Sequence, residues 1–320
     1  MRGAIPAART APAPPAPPGR LRRALDSDLW HSFTRNPMAV ASAVATVLMI
    51  ACALFAPWIA PHDPFDLRTI SILDNNNPPV WLEGGEWRFL LGTDDQGRDV
   101  LSAVMFGNRI SLLVGFSAVL FAMTIGITLG LVAGYVGGTV ESVIMRAADI
   151  KLSFPAILIA LMVDGIARAA LPRDVHGNIA LYVVIFAIGF SAWPAYARTV
   201  RGSTLIERNK EYVQAARVIG LHPGLIMLRH VLPNVMGPVL VIATLGLGNA
   251  IITEATLSFL GVGMPPTQPS LGTLIRIGND FLFSGEWWIT IFPGVALVIL
   301  VLAVNLLGDW LRDALNPKLR

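Results

Sequence analysis

Long apolar runs separated by short polar segments dominate the pattern of this chain. Five of these runs contain no charged residue and are at least 21 residues long. A helix that crosses a lipid bilayer needs about 20 consecutive, mainly apolar residues. The pattern therefore predicts at least five membrane-spanning helices. The uncharged runs are residues 36–61, 110–140, 177–197, 231–253 and 287–308.

A sixth apolar run, at residues 142–163, carries charges in its first half. Arg146, Asp149 and Lys151 precede a charge-free part, 152–163, that is too short to cross a bilayer alone. Either the segment is a re-entrant or interfacial helix, or it is a full span whose first turns protrude from the bilayer or line the bundle. Arg146 and Asp149 are spaced i, i+3, so a local ion pair between them is expected.

The distribution of basic residues favours the full span. Cytoplasmic loops of membrane proteins carry an excess of Lys and Arg. With six spans and a cytoplasmic N-terminus, 17 of the 24 basic residues fall in inner segments and 7 in outer ones. Omitting the sixth span would place the basic cluster at 198–229 outside. We therefore predict an all-α polytopic membrane protein with six spans and both termini in the cytoplasm.

Composition narrows the class of protein. The chain is 54% hydrophobic and 14% charged, whereas soluble domains average about 25% charged residues. The net charge of +3 comes from short inner loops that meet lipid headgroups, so no nucleic-acid partner is expected. Cys52 is the only cysteine, so one chain holds neither a disulfide nor a thiolate metal site. We expect no metal, no cofactor and no catalytic centre.

The chain divides into segments at changes in composition. Residues 1–21 are rich in Pro and Ala and predict a disordered cytoplasmic tail, and 22–37 predict an amphipathic helix at the membrane interface. The first span is placed at 38–60, an external loop at 61–108, the remaining five spans at 109–308 and a cytoplasmic tail at 309–320. The external loop holds eight acidic residues without the spacing of a calcium loop, so we interpret it as solvated.

One string in that loop predicts local order. Leu91–Asp99 reads LGTDDQGRD, and its glycines permit sharp turns. Asp94, Arg98 and Asp99 are expected to form an ion pair or to cap the following helix, a structural role rather than a catalytic one. The candidate residues of this external motif are Gly92, Thr93, Asp94, Gly97, Arg98 and Asp99.

The inner segment from Glu211 to Asn234 has the pattern of two short helices joined at a corner. Apolar residues at 212, 215, 216 and 219 fall on one helical face. Gly220 is placed to end that helix in a left-handed cap, and Pro223 suits the first turn of the next helix. The segment is either a hairpin lying on the membrane surface or an element that docks into the groove of a partner.

This segment resembles the cytoplasmic EAA loop of ATP-binding-cassette importer permeases. Gln214-Ala215-Ala216, Gly220 and Leu232-Pro233 stand at the spacing of that loop, although Gln214 replaces its Glu and His230 its Ile. The strings at 91–99, at 254–263 (EATLSFLGVG) and at 305–317 (NLLGDWLRDALNP) resemble the oligopeptide, dipeptide and nickel branch of these permeases. In that branch the loop ends R-H-x-L-P-N, as residues 229–234 do.

The resemblance implies a C-type permease subunit with type I, MetI-like architecture in a bacterial inner membrane. It implies four kinds of partner: a homologous second permease, two cytoplasmic ATPase subunits, a periplasmic solute-binding protein and the bilayer. It also implies that the loop at 198–232 couples the permease to its ATPases. The coupling residues carried over are Glu211, Tyr212, Gln214, Ala215, Ala216, Ile219, Gly220, His222, Pro223, Leu232 and Pro233.

Two other classes of membrane protein are weighed against this one. A membrane-embedded enzyme needs mutually spaced catalytic groups, whereas Asp164, Glu254 and Asp309 are expected at separate interfaces. An ion-coupled secondary transporter places ionisable residues at mid-membrane, and only the group at 146–151 favours that alternative. The chain contains no G-x-x-x-x-G-K-[ST] phosphate loop, so the energy for transport has to come from a partner.

Overall fold

The computed structural model describes residues 28–66, 70–170 and 172–315, and this part of the chain is helical apart from its connecting loops. The predicted all-α class is therefore confirmed. The predicted tail at 1–21 and residues 22–27 and 316–320 lie outside the described part. The helices are α1 (Asp28–Arg35), α2 (Pro37–Ile59), α3 (Val100–Val136), α4 (Gly138–Leu152), α5 (Ala156–Ala170), α6 (Arg173–Glu207), α7 (Glu211–Val218), α8 (Pro223–Ile226), α9 (Leu232–Phe259), α10 (Leu271–Asn279) and α11 (Trp288–Leu315).

Five helices among the described residues are long and apolar enough to cross a membrane, namely α2, α3, α6, α9 with the preceding α8, and α11. The sixth crossing is the pair α4 and α5, which is bent by 90° at Ser153–Pro155. Pro155 lacks a backbone N–H, and the residue before a proline is disfavoured in a helix. The sixth apolar run therefore folds as a broken helix, and counting this bent pair as one span gives the six predicted spans.

Glycines let α3 and α6 pack closely side by side. A Cβ added at Gly126 would lie 2.4 Å from Tyr196 Cβ, and one added at Gly130 would lie 2.5 Å from the Ala197 carbonyl oxygen. Small residues allow membrane helices to approach to backbone contact. These contacts run in the same direction along both helices, so α3 and α6 are parallel.

The remaining contacts define which helix ends lie together. Ser111 meets Glu254 and Gly115 meets Ile251, so α9 runs antiparallel to α3. Gly248 packs against Asn305, and Gly308 packs against Thr244, so α11 runs antiparallel to α9. The starts of α3, α6 and α11 share one end of the bundle with the end of α9, which we call the motif end. The opposite end holds α7 and α8, and we call it the coupling end.

Three helices begin or end at residues that differ from the predicted segment boundaries. The second long helix begins at Val100, so residues 100–108 of the predicted external loop are helical, because Asp99 caps this helix through Ser102 N at 2.9 Å. The first long helix spans Pro37–Ile59, one residue before the predicted 38–60 at each end. The last helix continues to Leu315 through residues predicted to form the tail.

The expected ion pair between Arg146 and Asp149 is wrong. Asp149 instead accepts a hydrogen bond from Arg198 of α6 at 2.5 Å. Glu141, earlier on α4, pairs in the same way with Arg201. Helical spacing favours the local partner. Packing of α4 against α6 instead places guanidinium groups of α6 within reach of the acidic side chains of α4.

Candidate coupling site

A left-handed glycine ends α7 and turns the chain back on itself. Gly220 has a φ of +83°, a conformation that costs any residue with a Cβ. Its N–H donates to Arg217 O at 3.0 Å, and Leu221 N donates to Ala216 O at 3.1 Å. This pair of bonds is the Schellman pattern of helix termination. The predicted cap is confirmed.

The next helix begins at the predicted corner. The His222 Nδ1 atom accepts a hydrogen bond from Gly224 N at 3.2 Å, and Pro223 occupies the first turn. A π-helical turn, Met227–Val231, then joins α8 to α9, with Leu232 and Pro233 at the start of α9. Such turns insert one extra residue into a helix and are often found at functional sites.

The predicted apolar face of α7 is divided between two environments. Val213 and Ala216 are buried against Ile226, Val231 and Val235 of the same chain. Ala215 and Ile219 lie on the exposed side, where Ile219 is 77% accessible. The prediction that Ala215 and Ala216 lie together on one apolar face is therefore wrong. Ala216 packs inward, and the exposed side is formed by Ala215, Val218 and Ile219.

Tyr212 joins three elements of the coupling end. Its hydroxyl donates to Glu207 Oε2 at 2.5 Å, at the end of α6, and accepts from Asn234 Nδ2 at 3.2 Å, on α9. Asn234 Nδ2 also donates to His230 O at 2.7 Å, in the π turn. Partial burial and the neighbouring Glu207 carboxylate raise the pKa of Tyr212 to about 12. The hydroxyl therefore remains a neutral donor.

Two arginines outside the predicted set of coupling residues fasten this region to α3. The Arg208 guanidinium donates to Gly134 O at 2.7 Å. The Arg217 guanidinium lies over the Tyr135 ring, with its carbon 4.9 Å from the ring centroid. Both contacts join residues more than 70 positions apart, and only the density of basic residues pointed to them.

Of the other predicted residues, Gln214 donates to Asn209 O at 3.0 Å, and Glu211 lies in the first turn of α7.

The external motif is a buried cluster of hydrogen bonds at the motif end. Arg98 Nε donates to Asp94 Oδ2 at 2.6 Å, and both side chains are 5% exposed. Asp94 Oδ1 also accepts from the backbone N–H groups of Gln96 and Arg98. Gly92 and Gly97 hold the two turns with positive φ angles. The predicted pairing of Asp94 with Arg98 is confirmed.

The external motif is joined to the rest of the bundle by several hydrogen bonds. Arg98 Nη1 reaches Pro266 O at 3.3 Å, and Trp288 Nε1 donates to Thr93 O at 3.0 Å. Thr93 and Asp99 form an isolated antiparallel bridge. Asp99 accepts from both the amide and the hydroxyl of Ser102, which confirms its predicted role as a helix cap. The motif thus joins α3, α11 and the loop after α9.

Glu254 differs from its expected place at an interface. It is fully buried, and it accepts hydrogen bonds from Ser111 at 2.9 Å and from Ser258 at 2.7 Å. The two hydroxyls accept in turn from Leu271 N and Met264 N. Through these two hydroxyls, the Glu254 side chain holds the middle of the loop between α9 and α10 and the first residue of α10. In the part of the chain described, no group of three His, Cys, Asp or Glu side chains is arranged to hold a metal ion.

Comparison with known proteins identifies the class. The family described as binding-protein-dependent transport system inner membrane component matches residues 126–320. The family described as the N-terminal TM domain of oligopeptide transport permease C matches residues 27–79. The chain belongs to the family of binding-protein-dependent transport system inner membrane components, and it is a permease subunit of an ATP-binding-cassette importer.

Individual relatives cover almost the whole chain. The di/tripeptide transport system permease protein DppC of Pseudomonas aeruginosa is 40% identical over 96% of this chain and 97% of the relative. The dipeptide transport system permease protein DppC of Escherichia coli K12 is 45% identical over 92% and 93%. The glutathione transport system permease protein GsiD of Escherichia coli O6:K15:H31 is 38% identical over 92% and 90%.

A solved structure shares the fold. One chain of the MetNI methionine ABC transporter, in an inward-facing conformation, superposes with a TM-score of 0.50 at 22% identity. The match covers 65% of this chain and 93% of that chain. The MetI-like helical architecture implied by the family resemblance is therefore confirmed.

Proposed function

We propose that this chain is the permease subunit of an importer for short peptides. The observation that carries the proposal is the identity of 40% and 45% with di/tripeptide and dipeptide permeases over more than nine-tenths of the chain. The related glutathione permease handles a solute that is itself a short peptide. The shared chemistry is thus a small molecule with amide bonds and a free carboxylate.

The coupling end is the proposed docking surface for the ATPase subunits. Ala215, Val218 and Ile219 present apolar side chains to solvent beside the basic side chain of Arg217. Exposed apolar residues on a short helix are suited to insertion into a hydrophobic groove. The Schellman cap and the Tyr212 hydrogen bonds fix this helix relative to α6 and α9, so a push on α7 is transmitted to two membrane helices.

The full assembly proposed has four further subunits. They are a homologous second permease, two ATPase subunits and a periplasmic solute-binding protein that approaches the motif end. The coupling end and both described ends of the chain would then face the cytoplasm. The contact between Phe33 of α1 and Trp310 of α11, whose ring centroids are 5.0 Å apart, supports placing those two ends on one side.

The identity of the solute can be determined from the ligand of the binding protein that co-purifies with this chain. Isothermal titration of that protein with dipeptides, tripeptides, glutathione and Ni²⁺ separates the candidates directly. Binding of di- or tripeptides is the expected result. Binding of Ni²⁺ with no response to any peptide would overturn the proposed solute.

A further inference from the structure

The external loop contains a closed segment, residues 80–90, that reads VWLEGGEWRFL. Val80 N donates a hydrogen bond to Leu90 O at 3.3 Å, so the two ends of the segment lie together. Compact loops of this kind are packed by their own side chains. Here Phe89 is buried, and its ring lies 5.2 Å from the His62 ring, just after the end of α2. We call residues 80–90 the tryptophan loop.

The tryptophan loop exposes most of its large apolar side chains. Trp81 is 56% exposed and Trp87 is 83% exposed, and Leu82 and Leu90 are also on the surface. Within the described residues, neither indole N–H has a hydrogen-bond partner. Clustered apolar side chains on a surface mark sites that bind a protein or a membrane. The loop therefore offers an apolar surface with free hydrogen-bond donors.

The position of α11 places this surface at the edge of the hydrocarbon. Residues 288–308 of α11 are uncharged and extend over about 31 Å as a helix, and the hydrocarbon core of a bilayer is about 30 Å thick. Phe292, one turn inside the start of α11, therefore lies just below the boundary of that core at the motif end. The Trp81 ring stands edge-on to the Phe292 ring, with centroids 6.0 Å apart. Trp81 consequently lies at the level where hydrocarbon gives way to headgroups.

The neighbouring helix α2 carries a tryptophan at the same end of the bundle. The two helices pack together, and Met49 of α2 lies against the cluster that contains Leu300 of α11. Trp58, in the last turn of α2, is 78% exposed. Tryptophan is enriched at membrane–water interfaces, because its ring is apolar while its N–H can bond to polar headgroups. Trp58 and Trp81 have the placement of such an aromatic belt.

Two features favour lipid over a soluble protein as the partner of the loop. Trp81 packs on the side of a membrane helix, one turn inside its start, where lipid has access and a soluble protein does not. Glu83 and Glu86 are exposed near the turn of the loop, and a charge in hydrocarbon is costly. Deep insertion is thereby excluded, whereas an interfacial position accommodates the indoles and the carboxylates together.

We propose that the tryptophan loop lies in the membrane interface at the motif end, with Trp81 and Trp87 between the acyl chains and the headgroups of phospholipids. The external motif begins at the next residue, Leu91, and its Thr93 O accepts a hydrogen bond from Trp288 Nε1 at 3.0 Å. The motif is then held by the bilayer as well as by the bundle. This placement differs from the solvated loop that composition predicts, and it is independent of the transported solute.

The test uses the complete transporter, with Cys52→Ala and cysteine-free partner subunits, in phosphatidylcholine nanodiscs. A nitroxide label is attached at Leu82→Cys or Leu90→Cys, which leave both indoles in place, or at Leu73→Cys, which is 93% exposed in the same external loop. Power-saturation electron paramagnetic resonance measures collisions with oxygen and with the water-soluble complex NiEDDA. The ratio of oxygen to NiEDDA collisions should be at least about fivefold higher at 82 and 90 than at 73, because an apolar gas concentrates in an apolar phase.

Trp87→Ser tests whether the indole holds the loop in the interface. With the label at Leu90→Cys, this variant should lower the collision ratio at least about threefold, because apolar area that lipid would cover is lost. Trp87→Tyr should keep the ratio, since tyrosine is also suited to the interface. Phe283→Ser is a matched control, because it removes a 96% exposed aromatic side chain from a different turn; it should leave the ratio unchanged.

Two results would overturn the inference. Equal collision ratios at the three labelled positions would show that the tryptophan loop is solvated. A low ratio whose NiEDDA collisions are suppressed only when solute-loaded binding protein is added would assign the surface to that protein instead. Either result would leave dipeptide uptake, and with it the proposed function, unaffected.

Discussion

The Tyr212 hydroxyl donates a hydrogen bond to Glu207 at 2.5 Å and so joins the short helix α7 to the end of the membrane helix α6. The same hydroxyl accepts from Asn234 at the start of α9. One side chain therefore connects a short helix at the bundle surface to two helices that cross the bilayer. A movement of α7 relative to α6 has to break or carry this contact.

Tyr212→Phe should loosen α7 without unfolding the bundle. Loss of a hydrogen bond to a carboxylate that keeps a second donor, Lys210 at 2.6 Å, should cost about 1 kcal/mol locally, or about a fivefold faster opening. Hydrogen exchange of the amides at 211–221 measures this. Because the Tyr212 pKa is raised from 10.0 to about 12, this hydroxyl keeps its proton below about pH 10, and the donor is lost as pH rises through about 12. Unchanged exchange would contradict the role given to Tyr212.

Tryptophan at two adjacent alanines should have different effects. Ala215 is exposed, so Ala215→Trp should preserve permease abundance and stop ATP-driven uptake by blocking ATPase docking. Ala216 is buried in the core, so Ala216→Trp should destabilise the permease itself by about 1–3 kcal/mol through overpacking. Membrane abundance, ATPase co-purification and uptake distinguish the two. Wild-type uptake by Ala215→Trp at normal abundance would remove this helix from coupling.

Gly220→Val tests the reverse turn. At a φ of +83° a β-branched residue is strained, and left-handed backbone costs about 1–2 kcal/mol even for ordinary residues. The variant should insert normally and lose uptake, because the corner that positions α8 is distorted. Gly202→Val is a matched control, since Gly202 has ordinary helical φ and a Cβ there meets nothing within 4 Å. Equal uptake by both variants would contradict the prediction.

Local and distant features of this chain differ in how far the sequence could predict them. The Gly220 cap, the Pro223 helix start and the Asp99 cap depend on neighbours within a few residues, so spacing alone identified them. Ala216 is buried because it packs against Ile226 and Val235. The helical spacing of apolar residues carries no information about such contacts with other elements. Likewise the Asp149–Arg198 pair joins residues 49 positions apart, and Ser111 meets Glu254 across 143 positions.

The buried ion pair of the motif should matter far more than an exposed one nearby. Removing one partner of the Asp94–Arg98 pair, as in Arg98→Ala, should destabilise the protein by about 3–5 kcal/mol, because the other charge stays buried. Arg88→Ala breaks the exposed Arg88–Asp74 pair, which is 3.5 Å long, and should cost about 0–1 kcal/mol. Thermal unfolding of the purified transporter compares them. Equal melting temperatures of the two variants would show that the buried ion pair does not stabilise the motif end.

Topology is tested with two exposed positions in a Cys52→Ala background. Leu73 is 93% exposed at the motif end, and Val218 is 88% exposed at the coupling end. In intact spheroplasts, an impermeant thiol reagent should label Leu73→Cys and spare Val218→Cys until the membrane is opened. Labelling of the reverse set would invert the orientation proposed from the basic residues.

Dipeptide uptake by the complete transporter in proteoliposomes, with ATP inside and loaded binding protein outside, tests whether this chain serves an ATP-driven peptide importer. Uptake should require ATP, persist when an uncoupler abolishes ion gradients, and disappear in Ala215→Trp. Uptake that needs no ATP and collapses with the uncoupler would instead show an ion-coupled transporter and contradict ATP-driven import through this chain.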